Sequence, residues 1–152
     1  MAPLTDSPNI PDEDRWTPIY WAARNGHTEI VKILAPLTDN PNASDSSGET
    51  PIYRAARHGH TEIVKILAPL TENPNAPDNS GETPIYRAAW HGHTEIVNIL
   101  APLTDNPNVP NNYGDTPIHR AAYNGHTEIV KILAPFTDNF NTSDEVGYDL
   151  NY

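Results

Sequence analysis

The segment TPIYWAARNGHTEIVKILAPLTDNPN, beginning at Thr17, recurs almost unchanged three more times, always displaced by 33 residues. Thr17, Thr50, Thr83 and Thr116 open the copies, and Ala35, Ala68, Ala101 and Ala134 close their helical parts. The chain therefore divides into units at 3–35, 36–68, 69–101 and 102–134, with a partial fifth unit at 135–152. A sequence of this kind folds as a stack of equivalent supersecondary units, each touching only its neighbours. Residues 1–152 are accordingly expected to form one elongated domain without an internal boundary.

Each unit reads as two helices and a turn-rich connection. Thr17 is an N-cap followed by Pro18 at the first helical position, where the missing N–H costs nothing. Ile19, Ala22 and Ala23 lie along that helix, and Gly26 ends it by adopting a left-handed conformation. His27-Thr28-Glu29 opens a second helix whose Ile30, Val31, Ile33 and Leu34 form one broad apolar face. A lone helix pair cannot bury that face, so the neighbouring unit must. Pro36 predicts that the second helix stops or tightens near Ala35. Thr38-Asp39-Asn40-Pro41-Asn42 and Asp45-Ser46-Ser47-Gly48 then supply turn chemistry leading to the next Thr-Pro.

The period, Thr17-Pro18-Ile19-Tyr20 (Thr-Pro-Leu-His in the family), Ala22-Ala23, Gly26-His27 and Glu29-Ile30-Val31-Lys32-Ile33-Leu34 together resemble the ankyrin repeat family. His119 matches the family histidine in the fourth unit. The resemblance implies an all-α repeat solenoid: antiparallel helix pairs joined by β-hairpin fingers, in an elongated curved stack that binds other proteins. Two departures carry expectations of their own. Thr38-Asp39-Asn40-Pro41-Asn42 replaces the usual Gly-Ala-Asp-Val-Asn, which predicts an altered exit from the second helix. Arg15 stands where later units have Gly48, Gly81 and Gly114, which predicts an irregular or frayed first finger.

The differences between units are unevenly placed. Of 33 columns, 19 are identical in all four units and 14 vary. Eleven of the variable columns fall between the Ile10/Ala43/Ala76/Val109 and Asn25/His58/His91/Asn124 columns, in the finger and first helix. The second helix varies once, where Asn98 replaces lysine, although it too has solvent-facing positions. Drift of exposed residues would have touched both helices. Trp16, Trp21, Arg24, Arg54, Arg57, Arg87, Trp90, Tyr113, Arg120 and Tyr123 occupy positions that the ankyrin resemblance places on the fingertips and concave side. Trp, Tyr and Arg are the types enriched at interface hot spots. Partner binding is the reading for Trp90 and Tyr123. For Arg54, Arg87 and Arg120 a ladder against Glu49, Glu82 and Asp115 is an equal alternative.

Other chemistry is not supported. The net charge of -11 repels phosphate backbones and anionic bilayers, so neither nucleic acid nor membrane is an expected partner. No membrane-length apolar run and no secretion signal is present, and the absence of cysteine fits a reducing compartment, so a cytoplasmic location is expected. His58-Gly59-His60 and His91-Gly92-His93 lack further ligands at metal spacing. The acidic turns, including Asp12-Glu13-Asp14, lack the pattern of a calcium loop. The sequons at Asn42 and Asn141 are read as chance matches. Four equivalent His-Thr-Glu copies do not make a single catalytic constellation, so no enzymatic activity, cofactor or metal is expected.

The expectation is a noncatalytic protein-interaction module that binds through its concave finger and first-helix surface. The near-identical cassettes suit an engineered or consensus-like scaffold, or a duplicated natural array. Neither end carries an obvious polar cap. Either Phe136, Phe140 and Leu150 cover the last apolar face of a monomer, or uncapped ends stack head-to-tail in a structural scaffold without a specific ligand.

Overall fold

The computed structural model of the protein describes residues 10–137. Among these residues there are eight α-helices and no strand: α1 (Pro18–Asn25), α2 (Thr28–Leu34), α3 (Pro51–His58), α4 (Thr61–Leu67), α5 (Pro84–His91), α6 (Thr94–Leu100), α7 (Pro117–Tyr123) and α8 (Thr127–Leu133). Each second helix runs into a 3-10 turn, at Ala35–Leu37, Ala68–Leu70, Ala101–Leu103 and Ala134–Phe136. The proline at the centre of each turn is why the α-helical pattern tightens there. Thr38 Oγ1 then donates to the Leu34 carbonyl at 2.7 Å, binding a helix end that glycine would close in the family pattern.

The α3 terminus shows how completely the start of a first helix is specified. Pro51 has no N–H, Asn42 Oδ1 accepts from Ile52 N at 2.9 Å, and Thr50 Oγ1 accepts from Tyr53 N at 3.0 Å. Arg54 N reaches the Thr50 carbonyl at 3.0 Å, so no donor in the first turn is left over. At the other end Gly59 sits at φ 81°, a left-handed conformation. Glycine has a second reason to be there: a Cβ would lie 2.7 Å from Cε1 of His93 in the next unit.

First helices pack on first helices, and second helices on second helices, through one continuous core. Ile19, Ile52 and Ile85 are fully buried in the first row, and Ile63, Val64, Leu67, Ile96, Val97 and Leu100 in the second. Each such side chain contributes about 1.5–3 kcal/mol on burial. Alanine pairs such as Ala55 and Ala56 let the first helices approach closely, whereas branched residues hold the second row further apart. The stack consequently curves with its first helices on the inner side.

The fingers differ from the expected β-hairpins. Asp45 N donates to the Glu49 carbonyl at 2.9 Å, but the loop is closed by a side chain and forms no ladder. Asp45 Oδ1 accepts from Ser47 N and Glu49 N, at 2.8 and 3.0 Å. Of the first finger, expected to be irregular or frayed, the fraying is not found, while the irregularity is confined to Arg15 and to the contact with the next finger. Asp12 N bonds the Trp16 carbonyl at 3.0 Å, and Asp12 Oδ1 accepts from Asp14 N and Trp16 N at 3.0 and 2.8 Å. These bonds hold Arg15 at φ 67°, the conformation that glycine adopts in the other fingers.

At the N-terminal end Ile30 and Ile33 are 45% and 63% exposed, while Ile63, Ile96 and Ile129 are covered by the preceding unit. At the other end Val130 is half-buried and Phe136 is 38% exposed. Phe140 and Leu150, expected to cover the last face, lie outside the described residues. No helix among the described residues is long and apolar enough to cross a membrane.

Candidate protein-interaction surface

The inner helices present two columns of side chains, three residues apart and therefore on one helical face. One is Trp21, Arg54, Arg87 and Arg120; the other is Arg24, Arg57, Trp90 and Tyr123. The fingers contribute Trp16 and Tyr113.

The first column is tied into the stack. Arg54 Nε donates to Tyr20 Oη of the preceding unit at 2.8 Å and lies 2.9 Å from Glu49 Oε1. Arg87 repeats the arrangement, with Nε to Tyr53 Oη at 2.9 Å and Nη2 to Glu82 at 2.6 Å. Tyr20 and Tyr53 in turn donate to Asp45 Oδ2 and Asp78 Oδ2, at 2.7 and 2.9 Å. Burial holds both phenols far above their ordinary range, against the opposing pull of the arginines, so they remain neutral donors. Asp45 is only 4% exposed and is satisfied at both oxygens, as a buried carboxylate must be.

The fourth unit alters this relay for a chemical reason. Asn111 replaces the aspartate and uses Oδ1 to hold its finger, accepting from Tyr113 N and Asp115 N at 2.9 and 3.0 Å. Its remaining amide group is a donor and cannot accept the Tyr86 hydroxyl. Tyr86 Oη turns instead to Asp115 Oδ2 at 2.7 Å, which also accepts Arg120 Nη2 at 2.6 Å. Burial and Asp115 push the Tyr86 phenol up to about 12.

The first unit exchanges the ion pair for an aromatic pair. Trp16 and Trp21 occupy the Glu49 and Arg54 positions and meet edge-to-face, with ring centres 4.4 Å apart. Trp16 also stacks on Tyr20 at 5.5 Å and donates Nε1 to Asp45 Oδ2 at 3.1 Å.

The second column is less engaged. Arg24 lies over Trp21 at 5.3 Å, and its Nε is buried without a hydrogen-bond partner. The Arg57 side chain is half-buried and takes part in none of the ion pairs or ring contacts among the described residues. Trp90 lies between Arg87, at 5.3 Å, and Arg120, at 4.1 Å, and Arg120 continues to Tyr123 at 5.5 Å. Tyr123 and the fingertip Tyr113 are each 81% exposed. The structure thus joins Trp90, Arg120 and Tyr123 in one strip and sets Tyr113 apart on its finger.

The histidine pairs divide by function. His60, His93 and His126 point Nε2 at the carbonyls of Arg24, Arg57 and Trp90 in the preceding unit, at 3.1, 3.1 and 3.0 Å. A carbonyl only accepts, so Nε2 carries the proton. His58 is exposed, yet partial burial followed by the charge of Arg57 lowers its pKa to about 4. Among the described residues no three potential metal ligands cluster.

Sequence reasoning missed the tyrosine and aspartate columns as inter-unit connectors. The available signal was their joint recurrence, Tyr20 with Asp45 and Tyr53 with Asp78, each 25 residues apart. A family model described as ankyrin repeats (3 copies) matches residues 4–78, 37–110 and 70–144. No curated relative matches the chain.

Proposed function

Since the chain belongs to the ankyrin repeat family, whose repeats are generally protein-interaction modules, we propose that it binds a protein partner, without catalysis, through its inner first-helix and finger surface. The observation that carries this reading is the strip of Arg120, Trp90 and Tyr123, which gathers variable positions on one accessible face. Trp90 and Tyr123 are the anchors. Tyr113 extends the surface from the fingertip. Trp16, Trp21, Arg54 and Arg87 shape its floor through contacts within the chain, and Arg24 and Arg57 continue it toward the N-terminal end. The near-identity of the units suits an engineered or consensus-like scaffold as well as a duplicated array.

The test is binding to a protein or peptide array by the full chain and by the Trp90→Ala/Tyr123→Ala variant. Partners should be lost in the variant while its helical circular dichroism is retained. A partner set that survives both substitutions overturns the reading. A second reading rests on the exposed Ile30 and Ile33: self-association of uncapped ends as a structural scaffold. It requires mass to increase with concentration in light scattering.

A further inference from the structure

The column Arg24, Arg57, Trp90 and Tyr123 changes character along the stack, with two cations followed by two aromatics. Its cations are unlike the other inner arginines. Arg54, Arg87 and Arg120 each have a carboxylate supplied by their own unit, from Glu49, Glu82 and Asp115. Neither Arg24 nor Arg57 forms an ion pair among the described residues, although the chain carries 20 acidic side chains. Arg24 Nε is additionally buried without a hydrogen-bond partner. Two guanidinium groups without a directly paired carboxylate, Arg57 acting on Glu49 only from beyond ion-pair distance, give the inner face of a chain with net charge -11 a local electrostatic preference opposite to that of the molecule.

Resting on the binding reading above, we propose that this column recognises an extended acidic–aromatic segment of a protein partner, with carboxylates over Arg24 and Arg57 and apolar or aromatic side chains over Trp90 and Tyr123. Guanidinium groups match carboxylates in fork geometry. Trp90, half-buried with Arg87 and Arg120 over its ring, leaves its exposed part to an apolar or aromatic side chain of the partner. Packed helices stand about 8–10 Å apart, and an extended chain advances about 3.3 Å per residue. One unit therefore meets about every third residue of the partner, and the column spans about ten residues. The same register places the two halves of the motif on fixed units and gives the groove a polarity.

Selection of a phage-displayed library of random peptides, about twelve residues long, on the full chain tests this directly. Enriched peptides should carry Asp or Glu about three residues apart at one end and aromatic or aliphatic residues at the same spacing at the other. Their affinity should fall about tenfold on Arg57→Gln, with the thermal midpoint unchanged. Trp90→Arg reproduces the residue type present in the first two units and should shift selection toward a third carboxylate. Enrichment of peptides lacking carboxylates, no enrichment, or equal binding to Arg57→Gln overturns the proposal. A protein partner that depends on Trp90 and Tyr123 but is indifferent to Arg57 overturns it while leaving the broader binding reading in place.

Discussion

Tyr53 and Asp78 meet at 2.9 Å through the phenolic hydroxyl and Oδ2, joining the first helix of one unit to the finger of the next. The same phenolic oxygen accepts Arg87 Nε at 2.9 Å. Tyr53→Phe removes both bonds and leaves two polar groups in a poorly solvated junction. The expected loss is about 1–3 kcal/mol, read as a lower urea midpoint with unchanged slope. Tyr86→Phe should cost less, because Asp115 keeps its direct pair with Arg120.

Arg15 occupies a left-handed conformation at φ 67° that other fingers assign to glycine. Relief of about 1–2 kcal/mol of backbone strain is offset by about 0.4–1 kcal/mol of extra unfolded-state entropy. Arg15→Gly should therefore stabilise the chain by about 0.5–1 kcal/mol. A fall in the urea midpoint would show that the Arg15 side chain contributes more than its backbone costs.

Gly59 and Gly125 share the left-handed conformation, at φ 81° and 76°. A Cβ on Gly59 would press on His93, whereas one on Gly125 meets nothing within 4 Å. Gly59→Ala should exceed Gly125→Ala in cost by about 1–3 kcal/mol, the usual range for overpacking. Equal losses in paired thermal melts would show that the imidazole moves aside freely.

His58 titrates near 4 in the folded chain, below its ordinary value of 6.5. Above pH 6.5 the group is neutral in both states. As pH falls from 6.5 toward 4 the unfolded chain takes up a proton that the folded chain refuses, so stability declines across that window. His58→Asn uses the residue found at this column in the first and fourth units, Asn25 and Asn124. It should shrink the loss of stability between pH 6.5 and 4, measured by urea unfolding at each pH, and identical pH profiles would remove the assignment.

The fold was legible because its determinants are local. Thr-Pro starts, Gly-His joints and the proline-tightened exit are specified within a few residues by backbone chemistry. The inter-unit relay was not legible in that way. Tyr20 finds Asp45 and Arg54 through the stack, at separations that no helical period connects. Arg15 misled for a related reason: its backbone cost was visible, but the Asp12 side chain that enforces the turn looked like a solvated acid. Residue type singled out Trp90 and Tyr123 as candidates, but their contact through Arg120 required the structure. The contrast between paired Arg87 and unpaired Arg57 required the structure, because both lie in the same first-helix face pattern.

Fingers two to four are clipped side by side. Asn79 N bonds the Ser47 carbonyl and Asn112 N bonds the Ser80 carbonyl, both at 2.9 Å. Ser46 occupies the corresponding place in the second finger, and no such main-chain clip joins it to the first among the described residues. Three fingers are thus joined through their main chains, while the first meets the second through the Trp16 indole on Asp45. A partner lying across the fingertips would meet a platform tied main chain to main chain over most of its length and by a single side chain at the N-terminal side.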